Sequence, residues 1–282
     1  MSYLVLAALE LTLLGLLSGL AGTLIVLRRR SFFAVALSHA TFPGGVLFAI
    51  LGWSVLAGQA AFAVVLVLLM TLLARVPGQG RQVVSGVVLS FGFALGALLA
   101  SLAPSIALPG GADVVGVDAL LIGSPLGVSL SDVVTTGAVL VASLLLLAIF
   151  GRRLLFHTFD PAGFRAAGYR SWPMELVATA IIAAAVVAAM PAVGAILGVA
   201  VLIGPAAAAR LVAPSIGWIP PIAAGMGVLA GLLGLWGSAV FGVAAGGAVG
   251  VAVALLFLLA LLVSKASARA GVRGVRYREA QA

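Results

Sequence analysis

Nine apolar runs, most of them close to the ~20 residues a helix needs to cross a bilayer, take up nearly all of this chain. Inside lipid, no water satisfies the backbone N–H and C=O groups, so a run of this kind must pair them internally and become a helix. The pattern predicts spans over 3–27, 32–53, 56–74, 83–103, 133–150, 174–190, 193–212, 219–240 and 243–263. The sixth and seventh are short. If the seventh only re-enters the membrane, the count falls to eight. The expected fold class is all-α, a polytopic transmembrane helical bundle. It forms a single transmembrane domain over 1–282, with a cytoplasmic segment at 151–173 and a basic tail at 264–282.

Composition excludes a soluble domain. Hydrophobic residues make up 64% of the chain and charged residues only 8%, too little polar surface to face water on all sides. Cysteine is absent, so there is no disulfide and no thiolate metal site. The net charge of +8 does not point to nucleic acid, because the positive charges sit in short membrane-flanking segments. Taken along the chain they are Arg28–Arg30, then Arg75 and Arg81, then Arg152, Arg153, Arg165 and Arg170, then Arg210, and last the tail from Lys265 to Arg278. With nine spans every one of these segments falls on one side. Basic residues stay cytoplasmic, so the expected orientation is N-terminus outside and C-terminus inside, in a cell (inner or plasma) membrane. The first span is followed, not preceded, by arginines, the reverse of a cleavable signal. The tail is expected to meet lipid headgroups.

Glycine spacing supplies the means of packing. Gly15/Gly19, Gly92/Gly96, Gly194/Gly198, Gly227/Gly231 and Gly246/Gly250 are all four residues apart, a spacing that brings helix backbones together in lipid. Two local breaks are expected. Pro191 marks a short outer turn, and Gly204-Pro205 breaks or kinks the seventh span.

The polar island at 151–173 reads as a short helix between two spans. Asp160 suits the N-cap, Pro161 the first helical position and Gly168 the C-terminal stop. A two-turn helix held between membrane spans is a handle that a cytosolic partner could grip.

No phosphate-binding glycine loop, nucleophile–base pair or zinc-protease cluster occurs, so nothing supports an enzyme. Ionisable groups at membrane depth are the functional candidates. His39 follows Arg30 by nine residues, about 13 Å up a helix and near the bilayer centre. Ser38, Thr41 and Pro43-Gly44-Gly45 surround it. It reads either as a metal ligand, since neutral imidazole binds transition metals, or as a histidine bonded across a helix interface. Glu10, in the outer half of the first span, reads equally as a pathway carboxylate or an interfacial one. Asp113, Asp118 and Asp132 lie in an outer segment free of Lys and Arg, with a short helix expected over 118–122. Together they read as a negative entrance that concentrates cations, with Asp113 and Asp118 reading alternatively as turn caps.

Three stretches carry a family resemblance. Ala36-Leu37-Ser38-His39-Ala40-Thr41-Phe42-Pro43-Gly44 resembles the span 2 motif of the permease subunits of binding-protein-dependent ABC importers for zinc, manganese and iron. Phe159-Asp160-Pro161-Ala162-Gly163-Phe164-Arg165-Ala166-Ala167-Gly168 resembles that family's cytoplasmic coupling segment. Val193 to Leu197, followed by Leu202-Ile203-Gly204-Pro205-Ala206-Ala207-Ala208-Ala209-Arg210, resembles its stretch ending in Pro-Ala-x-x-Ala-Arg. The three occur in family order and spacing. The resemblance implies a permease homodimer, two cytoplasmic ATPase subunits that bind the ATP, and an extracytoplasmic metal-binding protein. It implies no cofactor beyond the transported ion. His39, Glu10 and Asp118 are the expected metal-pathway residues. Asp160, Pro161, Phe164, Arg165 and Gly168 are expected to couple to the ATPase, with Phe164 as the apolar plug. Gly204 and Pro205 are the expected hinge. The chain departs from the family at Ala34-Val35, where Gly-Asp is usual. Zinc is the expected cargo, with manganese or iron next. The rival readings are a secondary transporter or channel for cations, for which only Glu10 offers an intramembrane carboxylate, and an importer of chelated iron.

Overall fold

The computed structural model describes residues 3–73, 76, 80–106 and 123–269. Its regular structure is helical throughout. In order come α1 (Tyr3–Leu17), a π-helical turn (Ser18–Gly22), α2 (Thr23–Leu27), α3 (Ser31–Ala40), α4 (Phe42–Ile50), α5 (Val55–Leu73) and α6 (Arg81–Ile106). Then follow α7 (Leu130–Phe159), α8 (Pro161–Ala166), α9 (Ser171–Val212), α10 (Ile219–Phe241) and α11 (Ala245–Arg269). Among the described residues eight helices are long and apolar enough to cross a membrane. The smaller of the two expected counts therefore holds, and the chain is a multi-pass membrane protein. The seventh expected span is the shorter helix Leu197–Val212.

Helix α9 is the hub, touching α1, α3, α5, α7, α10 and α11. In the most apolar stretches of Ser31–Ile50 and Ser171–Ala195, 72% and 67% of residues are buried, against 17% in Leu130–Phe159. The first two are therefore interior helices, and α7 leaves most of its surface uncovered by the rest of the chain. Small residues make the close packing possible. Gly15 rests on the Gly227–Val228 backbone and Gly19 on Pro220 and Ala224, while Gly231 faces Leu11. Numbers rise along α1 as they fall along α10, so the two run antiparallel. Gly92 and Gly96 bring α6 against Ala40 and Phe42 in the same way.

Two breaks differ from expectation. The helix runs unbroken through Gly204-Pro205 and through Pro191. An internal proline forfeits one backbone hydrogen bond, which a packed membrane helix tolerates. Gly204 instead makes room for Val253 of α11. The reversal comes at Gly194, with φ 70° and ψ 176°, a conformation essentially confined to glycine. The Gly194/Gly198 pair is thus a turn and not a packing seam. Beyond it the second arm of α9 returns to the end where α2 finishes: Ala206, Ala209 and Ala213 pack with Val26 and Leu27. The expected helix at 118–122 and the tail beyond Arg269 lie outside the described residues.

Candidate functional site

The segment after α7 forms as its local signals predict. The Asp160 carboxylate accepts from the Gly163 N–H at 2.7 Å, and Pro161 occupies the first turn of α8. At the other end Tyr169 N–H donates to Phe164 O at 3.2 Å and Gly168 N–H to Arg165 O at 3.0 Å. Gly168 takes φ 82°. This is a Schellman stop, in which a left-handed glycine satisfies the last carbonyls.

Phe164 does not project outward. It is 1% exposed, and its ring lies 5.0 Å from Tyr169, 5.1 Å from His157 and 5.4 Å from Phe156, centroid to centroid. The expected apolar plug is therefore the rivet that fastens α8 to its own chain. Burying a ring of this size stabilises the docking by about 1.5–3 kcal/mol. The outer face of α8 presents Pro161, Ala162, Arg165 and Ala166, beside an exposed Phe159. We expect Phe164→Ala to loosen α8 and lower co-purification of the ATPase subunit several-fold while the permease still inserts. Truncating a buried Phe costs about 3–5 kcal/mol locally, far more than the ~1 kcal/mol of a lost N-cap in Asp160→Ala. Unchanged co-purification would remove the coupling role of this rivet.

His39 occupies the last turn of α3, next to the break at Thr41. Pro43 has no N–H, so the His39 carbonyl lacks its i+4 helical donor; the Thr41 N–H is directed at it instead. The close approach of α6 sets Phe93 beside the imidazole, edge-on, at 6.4 Å between centroids. Phe93 in turn stacks on Phe42. The ring is half-buried, and among the described residues it forms no hydrogen bond. The interface-bonded reading thus finds no partner here. Val35, one turn earlier on the same face, is also half-buried.

Glu10 is fully buried. Its Oε1 accepts from Thr136 Oγ1 of α7 at 2.7 Å, and Oε2 has no partner. It lies on α1 and is bonded across to α7. Asp132 helps to cap the start of α7 through a reciprocal pair with Ser129. Asp113 and Asp118 lie outside the described residues. Among the described residues no three His, Cys, Asp or Glu side chains gather into a metal-holding cluster. Sequence reasoning missed the residues that join Arg28 and Arg30 to α7 and α9. The partners lie more than 125 positions away, and no local signal links them.

A bundle of apolar helices bearing a riveted handle at its basic end defines a multi-pass membrane transport subunit. The profile of the ABC 3 transport family matches residues 1–264, and the chain belongs to that family. It is 30% identical over 265 residues to the manganese transport system membrane protein MntC of Halalkalibacterium halodurans, covering 93% of this chain and 88% of that one. It is 35% identical over 232 residues to the zinc transport system membrane protein TroC of Treponema pallidum, covering 78% and 75%. The solved structure of PsaBC from Streptococcus pneumoniae in complex with Fab superposes with a TM-score of 0.81 at 31% identity, over 92% of this chain and 91% of that one. The chain is accordingly an ABC transporter permease and not an enzyme; ATP hydrolysis belongs to a separate subunit.

Proposed function

We propose that this permease imports a divalent transition metal, zinc in the first place, past His39. The observation that carries the reading is the half-buried imidazole at the α3–α4 break, which forms no hydrogen bond among the described residues. Neutral imidazole suits zinc, whereas manganese favours carboxylate and other oxygen ligands. In this chain Val35 stands one turn from His39, where the family's motif usually has an aspartate. The relatives named above transport manganese in one case and zinc in the other, so cargo is decided by side chains and not by the family. Glu10 is sealed against Thr136 and is left off the path.

In this reading the basic end faces the cytosol and α8 is gripped by the ATPase subunits. An extracytoplasmic protein delivers the metal to the opposite end. A second copy of the permease completes the pore. Closure of the ATPases on ATP pushes α8, and because α8 is riveted to the end of α7 the push reaches the membrane spans.

Proteoliposomes holding the permease with its ATPase and binding protein test this. On addition of ATP they are expected to accumulate labelled zinc, and excess zinc is expected to suppress manganese uptake far more than the reverse. Manganese uptake indifferent to zinc would overturn the choice of metal. ATP-independent uptake, or none of any metal, would overturn the function.

A further inference from the structure

The turn between α2 and α3 is short and cationic. Arg29 holds a positive φ of 54°, which lets Arg28 and Arg30 reach inward together. Arg28 is almost fully buried and Arg30 largely so, with side chains 5% and 16% exposed. Burying guanidinium groups without partners is very costly, so their contacts determine what this end of the bundle can do.

Arg28 Nε donates to Thr158 Oγ1 at 3.1 Å and Nη2 to His157 Nδ1 at 2.7 Å, both on the last turn of α7. A guanidinium cannot accept, so the imidazole accepts at Nδ1. Arg28 Nη1 donates to Glu175 Oε2 on α9 at 3.4 Å. Arg30 Nη2 donates to the same Glu175 oxygen, and its Nη1 to Thr179 Oγ1 at 2.8 Å. His157 also packs on Phe164, the rivet of α8. Arg30 sits at the head of α3, its carbonyl accepting from Ala34 N–H at 3.1 Å, nine residues before His39.

A continuous line of contacts therefore runs from α8 through Phe164, His157 and Arg28 to Glu175, and from Glu175 through Arg30 into α3. Glu175 is the only carboxylate among these residues, and one of its oxygens serves both arginines. Without it, both arginines lose the carboxylate oxygen they share on α9, Arg30 keeps only its Thr179 bond to that helix among the contacts named here, and the hold of α2 and α3 on α9 loosens.

We infer that Glu175 is a positioning residue that transmits movement of the coupling helix α8 to α3, the helix carrying His39. The inference rests on the proposed ATP-driven import, but it concerns transmission and not cargo. It requires that α8 respond to the ATPase with or without Glu175, and that α3 respond only with it.

Because the chain contains no cysteine, single labels are clean. An environment-sensitive fluorophore is attached to a cysteine replacing Phe32, exposed on α3, or Ala162, exposed on α8, in the permease assembled with its ATPase. ATP is expected to change the emission of both labels in the otherwise unaltered chain. In Glu175→Gln the α8 label is expected to respond as before and the α3 label to fall silent. Metal moved per ATP hydrolysed is expected to drop about tenfold, within the range by which two coupled sites act on each other.

The exchange of Glu175→Arg with Arg30→Glu restores one attraction of opposite charges and is expected to recover part of the α3 response. Should Glu175→Gln not assemble, Arg30→Lys decides: it keeps the charge but loses the planar fork, and the α3 response should fall while the α8 response stays. An α3 label that responds equally with and without Glu175 overturns the inference, as does an unchanged α3 response in Arg30→Lys. If both labels respond normally and no metal is taken up, the cargo reading fails and this one stands.

Discussion

Replacing His39 with alanine is expected to abolish metal uptake, and His39→Gln to retain a fraction of it. The alanine removes the nitrogen donor from the α3–α4 break, and among the described residues no cluster of ligating side chains is at hand to replace it. Loss of even an outer partner of a metal ligand costs 10–100-fold, so loss of the donor itself should lower uptake by on the order of 100-fold or more. Glutamine offers an amide oxygen of similar reach, a weaker ligand for zinc than imidazole. Neither change should alter expression much, because the ring is half-buried and touches Phe93 at its edge. A histidine that served only packing would give a different result, with both variants retaining transport. Labelled zinc uptake at matched protein levels separates the two, and wild-type uptake by His39→Ala places the ring off the path.

The second large effect is on folding. Gly194→Val should sharply lower the yield and thermal stability of the permease, whereas Gly198→Ala should do little. At φ 70° and ψ 176° a side chain adds about 1–3 kcal/mol of backbone strain, and a β-branched one sits at the upper end. The turn also has no room to relax. Gly123 lies against the Gly194 backbone so closely that it too must lack a side chain, and Ser124 N–H donates to Pro191 O at 3.3 Å. At Gly198 the nearest atoms to an added methyl are the Ala189 Cβ at 3.6 Å and the Val193 Cγ2 at 3.7 Å, which is ordinary contact. Melting of the two variants in detergent, followed by size-exclusion chromatography, measures the difference. Equal melting temperatures would show that the Gly194 turn is not required.

Several features were legible because their causes are local. The membrane runs follow from apolar length alone. Asp160, Pro161 and Gly168 delimit α8 because an N-cap, a fixed φ and a left-handed stop act within a few residues of themselves. Gly15, Gly19, Gly227 and Gly231 were readable as packing positions because small residues four apart form a stripe on any helix. His39 stood out because an ionisable group at membrane depth is rare in any sequence.

Tertiary structure decided the rest. Whether Phe164 faces a partner or its own chain depends on Phe156, His157 and Tyr169, and the rotation of a six-residue helix against them is not written in its own residues. The chain turns at Gly194, and not at Gly204-Pro205, because Gly123 meets one glycine and Val253 the other. Both contacts come from residues distant in sequence. Glu10 is sealed by Thr136, and Glu175 is claimed by Arg28 and Arg30, across separations of 126, 147 and 145 residues. In lipid, apolar surface gains nothing by leaving its surroundings, so hydrophobic pattern sets that a helix spans but not which face meets which neighbour. Close packing of small residues and a few enclosed polar contacts make that choice, and they exist only once the helices are side by side.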